Sequence, residues 1–355
     1  MNSQRLLRLA VGLAFVIVAV AVAIRVMGPN RVDTSGIGDA VVDLADRASK
    51  IRRIELETGK EHAIAERGPA GWTLASRSGF PANESALQGI VRGLIALQKS
   101  QRMTAMPARH GELGLAWPDP KGETRLVRIY AEGSDVPAAE LLIGRQAQSP
   151  TGVFIRMVDD PQAWRCTGAL QLGSEGGGWI AGPVSEIGAD ALKSVECEGI
   201  RLVPTNGQWG VEGAPPEPTS PDAPPGDPKS AAMRGTLPYL LSGLQPEDVR
   251  RETADDAART PAITATIRVD EGHTVVARLW QEGDDVWVAL ALGQCEGPSN
   301  ATLDEQAPKW SGWVFKLPSW RSGQYKALFG TPPVPPMTEV PELLAPPAAP
   351  VTPAP

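Results

Sequence analysis

The chain has 355 residues and a net charge of −7, with acidic and basic residues scattered along its length. That is enough chain for two ordinary domains and a sizeable core, and the balance excludes a nucleic-acid groove, which needs a basic face against phosphate. Gly and Pro are plentiful and Trp outnumbers Phe and Tyr together, which favours turns and irregular segments over a helical bundle. Cys166, Cys197 and Cys295 form no CxxC pair and are too sparse for a disulfide scaffold. They read as small buried residues, with a Cys166–Cys197 bridge left open.

Leu9–Ile24, "LAVGLAFVIVAVAVAI", holds no charge and follows Arg5 and Arg8. With Leu6, Leu7 and a snorkelling Arg8 it approaches the ~20 residues that a membrane-spanning helix needs. The pattern predicts a transmembrane anchor within residues 1–30 and a cytoplasmic N-terminus, although Arg25 and Arg31 weaken the charge bias. The competing reading is a cleaved signal peptide, because AVA triplets occur near the end of the run. Against it, no polar helix-breaking segment intervenes and Arg25 follows at once. Residues 31–48 read as a linker, and everything beyond about residue 30 is expected outside the cytoplasm.

Residues 49–178 read as one α+β unit. Ser49–Glu57 alternates as a strand, and Glu61–Ser76 is a hairpin around Gly68-Pro69-Ala70-Gly71 with Trp72 on its return. Asn83 is a candidate N-cap for a helix whose Leu87, Ile90, Val91, Leu94 and Ile95 form one apolar stripe. Three strand-like runs follow: "TRLVRIYAE", "AAELLIG" and "GVFIRMV".

Residues 179–330 repeat this order. Leu192–Gly213 is a strand and a hairpin turning at Asn206-Gly207, with Trp209 where Trp72 stood. Asp227-Pro228 opens a second helix, and "AMRGTLPYLLSGLQ" echoes the earlier "ALQGIVRGLIALQ". Pro238 should kink or split that helix by removing a backbone hydrogen bond. Three strand-like runs follow again: "AITATIRVD", "TVVARLWQE" and "DVWVALALG". The expected fold is therefore an N-terminal transmembrane helix and two tandem copies of an antiparallel-sheet-plus-helix unit. The second copy carries a Pro-rich insertion over 213–228, a surface excursion or disordered loop. The Pro/Ala-rich tail Thr331–Pro355 is expected to be disordered with polyproline-like stiffness.

Several short motifs, in order, resemble a known family. Gly114-Leu115-Ala116-Trp117-Pro118 matches a gly-leu-x-x-pro turn, Leu141-Leu142-Ile143-Gly144 a leu-x-ile-gly strand, and Val153-Phe154-Ile155-Arg156 a tyr-val-arg-like strand with Phe154 in place of the usual Tyr. Pro81-Ala82 before the helix, Trp179 followed by Ser185–Glu196, and Gly312–Trp320 also fit. The chain resembles the bacterial membrane-anchored envelope proteins called domain of unknown function 4340 over roughly residues 50–328. The resemblance implies an accessory role beside ABC-transporter permease and ATPase parts of the gliding-motility type. It offers no catalytic residue to carry over, and the Pro-rich insertion departs from its pattern.

The residues themselves supply no catalytic, cofactor or metal constellation. His62, His110 and His273 are not at metal-ligand spacing, and all three read as surface residues of turns and hairpins. GxSxG and SxxK are absent, and Gly173–Trp179, "GSEGGGW", lacks the Lys-Ser/Thr of a phosphate loop and reads as a connector. Asp159-Asp160, Asp255-Asp256 and Asp284-Asp285 read as solvated turns. The one candidate partner or ligand surface is Trp310, Trp313 and Trp320, interleaved with Lys309, Lys316 and Arg321; packing on the second copy is the plainer alternative.

The expected function is a non-enzymatic accessory or scaffold protein of an ABC-transporter-type envelope complex. It would be single-pass in the bacterial inner membrane, with its bulk in the periplasm and no nucleic-acid partner. The alternative is a carbohydrate- or peptidoglycan-binding module, and an envelope hydrolase using a carboxylate pair ranks last.

Overall fold

The structure is a computed structural model that describes residues 36–148, 150–173, 177–213, 228–258 and 263–329. The apolar run Leu9–Ile24, Asp227, most of the Pro-rich insertion, positions 174–176 of the connector and Thr331–Pro355 lie outside the described residues. Among the described residues no helix is long and apolar enough to cross a membrane. The fold is mixed α+β on two antiparallel sheets. It divides into two units, residues 36–182 with Asp248–Arg251, and residues 183–247 with 252–329.

The first unit contains β1 (Gly38–Asp39), α1 (Leu44–Arg47), β2 (Ile51–Glu57), β3 (His62–Gly68), β4 (Gly71–Leu74) and β5 (Phe80–Pro81). After them come α2 (Glu84–Ala96), β6 (Gln98–Arg102), β7 (Arg125–Ala131), β8 (Ala139–Gln148), β9 (Thr151–Met157) and β10 (Ala163–Thr167). Its sheet runs β1-β6-β10-β9-β8-β7-β2-β3-β4-β5. Cross-strand rows such as Leu56↔Val127↔Leu141 and Ile54↔Ile129 make one face apolar. Helix α2 begins where Asn83 Oδ1 accepts the Ala86 N–H at 3.1 Å, and it buries Leu87, Ile90 and Leu94. Val91 and Ile95, expected in the same buried stripe, remain half-exposed.

The opposite face of this sheet is also covered, at one end. The segment between β6 and β7 crosses it and contributes Leu115 to a buried cluster with Leu126, Leu142 and Ala163, against which Met103, Leu113, Trp117 and Phe154 pack. All three family-like motifs therefore meet in one place, through Leu115, Leu142 and Phe154. The approach is close enough that a Cβ at Gly144 would overlap the Leu113 carbonyl oxygen and sit 2.8 Å from that of Gly114. Gly114 itself has φ +68°, a left-handed conformation that suits glycine. Below it, the Thr124 hydroxyl lies 2.8 Å from the carbonyl oxygens of both Gly114 and Ala116. Asp119 accepts the backbone N–H of Thr124 at 2.8 Å, and that bond leads in holding its carboxyl below the usual carboxylate range.

The second unit contains β11 (Ser194–Cys197), β12 (Ile200–Thr205), β13 (Gln208–Val211) and α3 (Pro228–Thr236). β14 (Asp248–Arg251), which falls in the first unit although it is a strand of the second sheet, comes next in the chain, then α4 (Ala254–Ala258), β15 (Ile263–Arg268), β16 (His273–Glu282), β17 (Asp285–Cys295), α5 (Ala301–Gln306), β18 (Trp313–Lys316) and α6 (Ser319–Lys326). The second sheet runs β13-β12-β11-β15-β16-β17-β18-β14. Ala265↔Ala277↔Leu290 and Leu279↔Val288 form its apolar rows. Trp280 and Trp287, directly opposite each other, cluster with Ala289 and Val314. Helix α3 stops at Thr236, and Pro238 sits in the 3-10 turn Leu237–Tyr239 that follows, so the proline ends the helix early.

Without β1 and β5 the first order is β4-β3-β2-β7-β8-β9-β10-β6, and it runs through the chain as the second order does. In each, a three-strand meander leads to a helix, an edge strand on the far side, and a four-strand return. Trp72 and Trp209 both pair with the second residue before the hairpin turn, Arg67↔Trp72 and Pro204↔Trp209. Trp72 is buried and Trp209 half-buried, so the shared position has unequal cover.

Gly144→Ala tests the close approach of the β6–β7 segment. Chemical unfolding should show a loss of roughly 1–3 kcal/mol, the usual cost of forcing extra volume into a packed site.

Candidate functional site

The Trp-rich end divides into core and surface. Trp310 is 1% exposed, and its Nε1–H donates to the Val184 carbonyl at 2.8 Å. Trp313 is 6% exposed at the start of β18. Neither ring is available to stack on a ligand, and this corrects their place in the expected three-Trp surface. The interleaved bases are engaged as well. Lys309 pairs with Glu305 at 3.4 Å and Lys316 with Asp285 at 3.1 Å.

Trp320 is different, at 74% exposed. Helix α6 turns Arg321, Ser322 and Tyr325 inward, and Trp320 falls outside that buried set. Three bonds fix the helix. The Ser319 backbone N–H and hydroxyl both donate to Glu247 Oε2 at 2.8 Å, and the buried Tyr325 hydroxyl donates to the Thr236 carbonyl at 2.9 Å. Burial pushes the Tyr325 phenol up to about 12, with Arg321 partly opposing it. Arg321 Nη2 donates to the Tyr239 carbonyl at 2.5 Å, and its guanidinium lies 5.7 Å from the Trp320 ring centroid. Tyr239 is itself 47% exposed. The surface aromatic site is thus Trp320, with Arg321 bonded to the Tyr239 backbone beneath it.

A charged cluster of the first unit lies on β2, β7 and β8. Buried Glu55 lies 2.7 Å from Arg53 Nη2 and 3.5 Å from Arg128 Nη1, and accepts the Tyr130 hydroxyl at 3.4 Å. Arg128 also donates to Glu57 at 2.8 Å and Glu140 at 2.7 Å. Burial works against the Arg128 charge, but Glu140 and Glu57 outweigh it and hold its pKa above the ordinary value. The Arg53 guanidinium stacks 4.0 Å from the Tyr130 ring centroid. Each carboxylate in the cluster faces a guanidinium, three carboxylates to two guanidiniums, so the arrangement is an ionic network that ties the strands together.

Two histidines depart from expectation. His110 is buried, its Nε2–H donating to the Pro161 carbonyl at 2.9 Å, which ties the β6–β7 segment to the start of β10. His273 is buried at the start of β16, its Nδ1–H donating to Asp270 at 2.8 Å. Asn300 at 2.6 Å, then His273, hold the Asp270 carboxyl far below its usual range. Asn300 also caps α5 by accepting the Leu303 N–H, so the cluster fastens a turn to a helix. His62 is exposed, as expected. Asp256, expected in solvent, is buried and exchanges capping bonds with Thr253 at the start of α4. Asp159, Asp160, Asp255 and Asp284 are exposed. No group of three or more metal-ligating side chains is assembled among the described residues.

All three cysteines are free thiols. Burial pushes the thiol of Cys166 up to about 12 and that of Cys197 up to about 11, whereas Cys295 is exposed.

These features define a two-unit, sheet-based α+β protein whose recurrent motifs build a packing cluster. The chain belongs to the family described as domain of unknown function 4340 (DUF4340), whose model matches residues 72–262, more than half of the chain. No curated protein and no solved structure matches it.

Two measurements check the assignment of core and surface. Trp310→Ala should cost roughly 3–5 kcal/mol in unfolding free energy, while Trp320→Ala should change it by less than about 0.5 kcal/mol. With a thiol reagent at neutral pH, Cys295 should label in the native protein, and Cys166 and Cys197 only after denaturant is added.

Proposed function

We propose that this chain is a membrane-anchored, extracytoplasmic accessory or scaffold protein of the bacterial inner membrane, acting beside an ABC-type transporter and carrying out no chemistry of its own. Leu9–Ile24 is the single-pass anchor in this reading, and residues beyond about 30 are periplasmic. One observation carries it: an uncharged run preceded by Arg5 and Arg8 leads into two sheet units. The ionic network around Glu55 and the bonding of Asp270 to Asn300 and His273 lend support, since both sets of ionisable groups are occupied in holding the fold.

The two units are read as copies of one ancestral unit, supported by their shared strand order and by the paired positions of Trp72 and Trp209. Sheet edges and exposed aromatics would meet the permease, and the Pro/Ala-rich residues Thr331–Pro355 are assigned to recognition of a further partner in extended form. A second reading, glycan or peptidoglycan binding, is favoured by one observation, the exposed Trp320 ring.

A tagged pull-down of the full chain from native membranes in mild detergent, read by mass spectrometry, tests both readings. Near-stoichiometric permease and ATPase is the expected result. Recovery of the protein alone overturns the accessory role. Retention on cell-wall material that disappears with Trp320→Ala establishes the second reading in its place.

A further inference from the structure

The stripe on α2 is wider than the core that it covers. Leu87, Ile90 and Leu94 are buried, but Val91 and Ile95 stay half-exposed and form one wall of a groove of about 270 Å³. Its floor is Ile54, Leu87 and Trp72, all buried. The groove lies wholly within the first unit.

Two guanidiniums stand at its rim. Arg67 is the cross-strand partner of Trp72, and Arg92 follows Val91 on the helix; both are exposed. Among the described residues neither has an ion-pair partner, in contrast to Arg53 and Arg128 of the same sheet. The rim also carries the Glu84 carboxylate, which accepts from Gln88 at 3.0 Å, so its formal charge is +1 from two cations and one anion.

We propose that this groove binds a single acyl chain bearing an anionic head. An apolar trough selects hydrocarbon, and its volume lies just below the roughly 300–1,000 Å³ of ordinary ligand pockets. The two rim guanidiniums supply charge-assisted hydrogen bonds to a carboxylate or phosphate head. Val91 and Ile95 are the residues that such a chain would take out of water. The groove's chemistry is independent of whether Leu9–Ile24 spans a bilayer.

The test is photolabelling of the full-length protein in mild detergent with a diazirine-bearing palmitate analogue, followed by peptide mapping. Labels should fall on peptides containing residues 48–54, 72 and 87–95. Val91→Trp, which fills the groove, should cut labelling by roughly tenfold. Ile95→Glu should do the same, and serves if the first variant does not fold. Arg67→Glu with Arg92→Glu should weaken labelling by the acid but not by the matching alcohol. Unlabelled dodecanoate and phosphatidylglycerol vesicles then compete in separate arms, and whichever displaces the label identifies a free acid or a lipid as the source. Labelling that ignores Val91→Trp and Ile95→Glu, equal capture of the alcohol by the unmodified protein, or displacement by neither competitor overturns the proposal.

Discussion

The first unit depends on one close backbone contact, the carbonyls of Leu113 and Gly114 pressed against Gly144 of β8. That contact lets the β6–β7 segment lie on the sheet face opposite α2 and lower Leu115 between Leu126 and Leu142. His110 then reaches Pro161, and Met103 and Thr104 exchange backbone bonds with Ala163, so the first half of the segment is tied to the start of β10. At this end the middle strands are covered on both faces, which is why β7 and β8 carry apolar residues at consecutive positions such as Leu126-Val127 and Leu141-Leu142. Beyond the segment the same face changes character, and Glu55, Arg128 and Tyr130 replace hydrocarbon with paired charge.

Much of this was legible in the sequence because its signals are local. The Asn83 cap and the Leu87–Leu94 stripe locate α2, and the Gly68–Gly71 and Asn206-Gly207 turns locate the hairpins. What stayed hidden depends on distant partners. β6, "QKSQR", has no apolar alternation and becomes a strand only by pairing with β10. Trp310 is buried because its N–H reaches Val184 across 126 positions of chain, which no local pattern announces. His110 is similar, with its acceptor 51 residues away. His273 is a different case, since Asp270 lies only three residues before it and the turn between them was a readable signal. Helix α6 inverts the usual pattern by burying Arg321, Ser322 and Tyr325 while leaving Trp320 in solvent, so hydropathy points the wrong way.

Where polar groups are buried in quantity they satisfy one another: Glu55 with Arg53 and Arg128, Asp270 with Asn300 and His273, Asp256 with Thr253. Two other features lie at the surface, the exposed Trp320 ring in one unit and the Arg67–Arg92 rim in the other. These places differ in kind. Trp320 offers a flat ring to a partner, whereas the α2 groove is concave and apolar.

The strand order sets a timetable for assembly. β6 is made directly after α2, yet its main neighbour β10 comes much later, and the Ser100–Arg165 bond spans 65 positions. As the chain emerges from N- to C-terminus, α2 and the β2–β4 meander exist before the far side of the sheet does. β6 must then wait with an open row of amide and carbonyl groups until the meander of β7, β8 and β9 returns to it. An apolar strand left in that state would recruit other chains. The Gln, Lys, Ser, Gln and Arg side chains of β6 keep it hydrated instead, so the residues that make the strand hard to recognise also protect the nascent unit from aggregation.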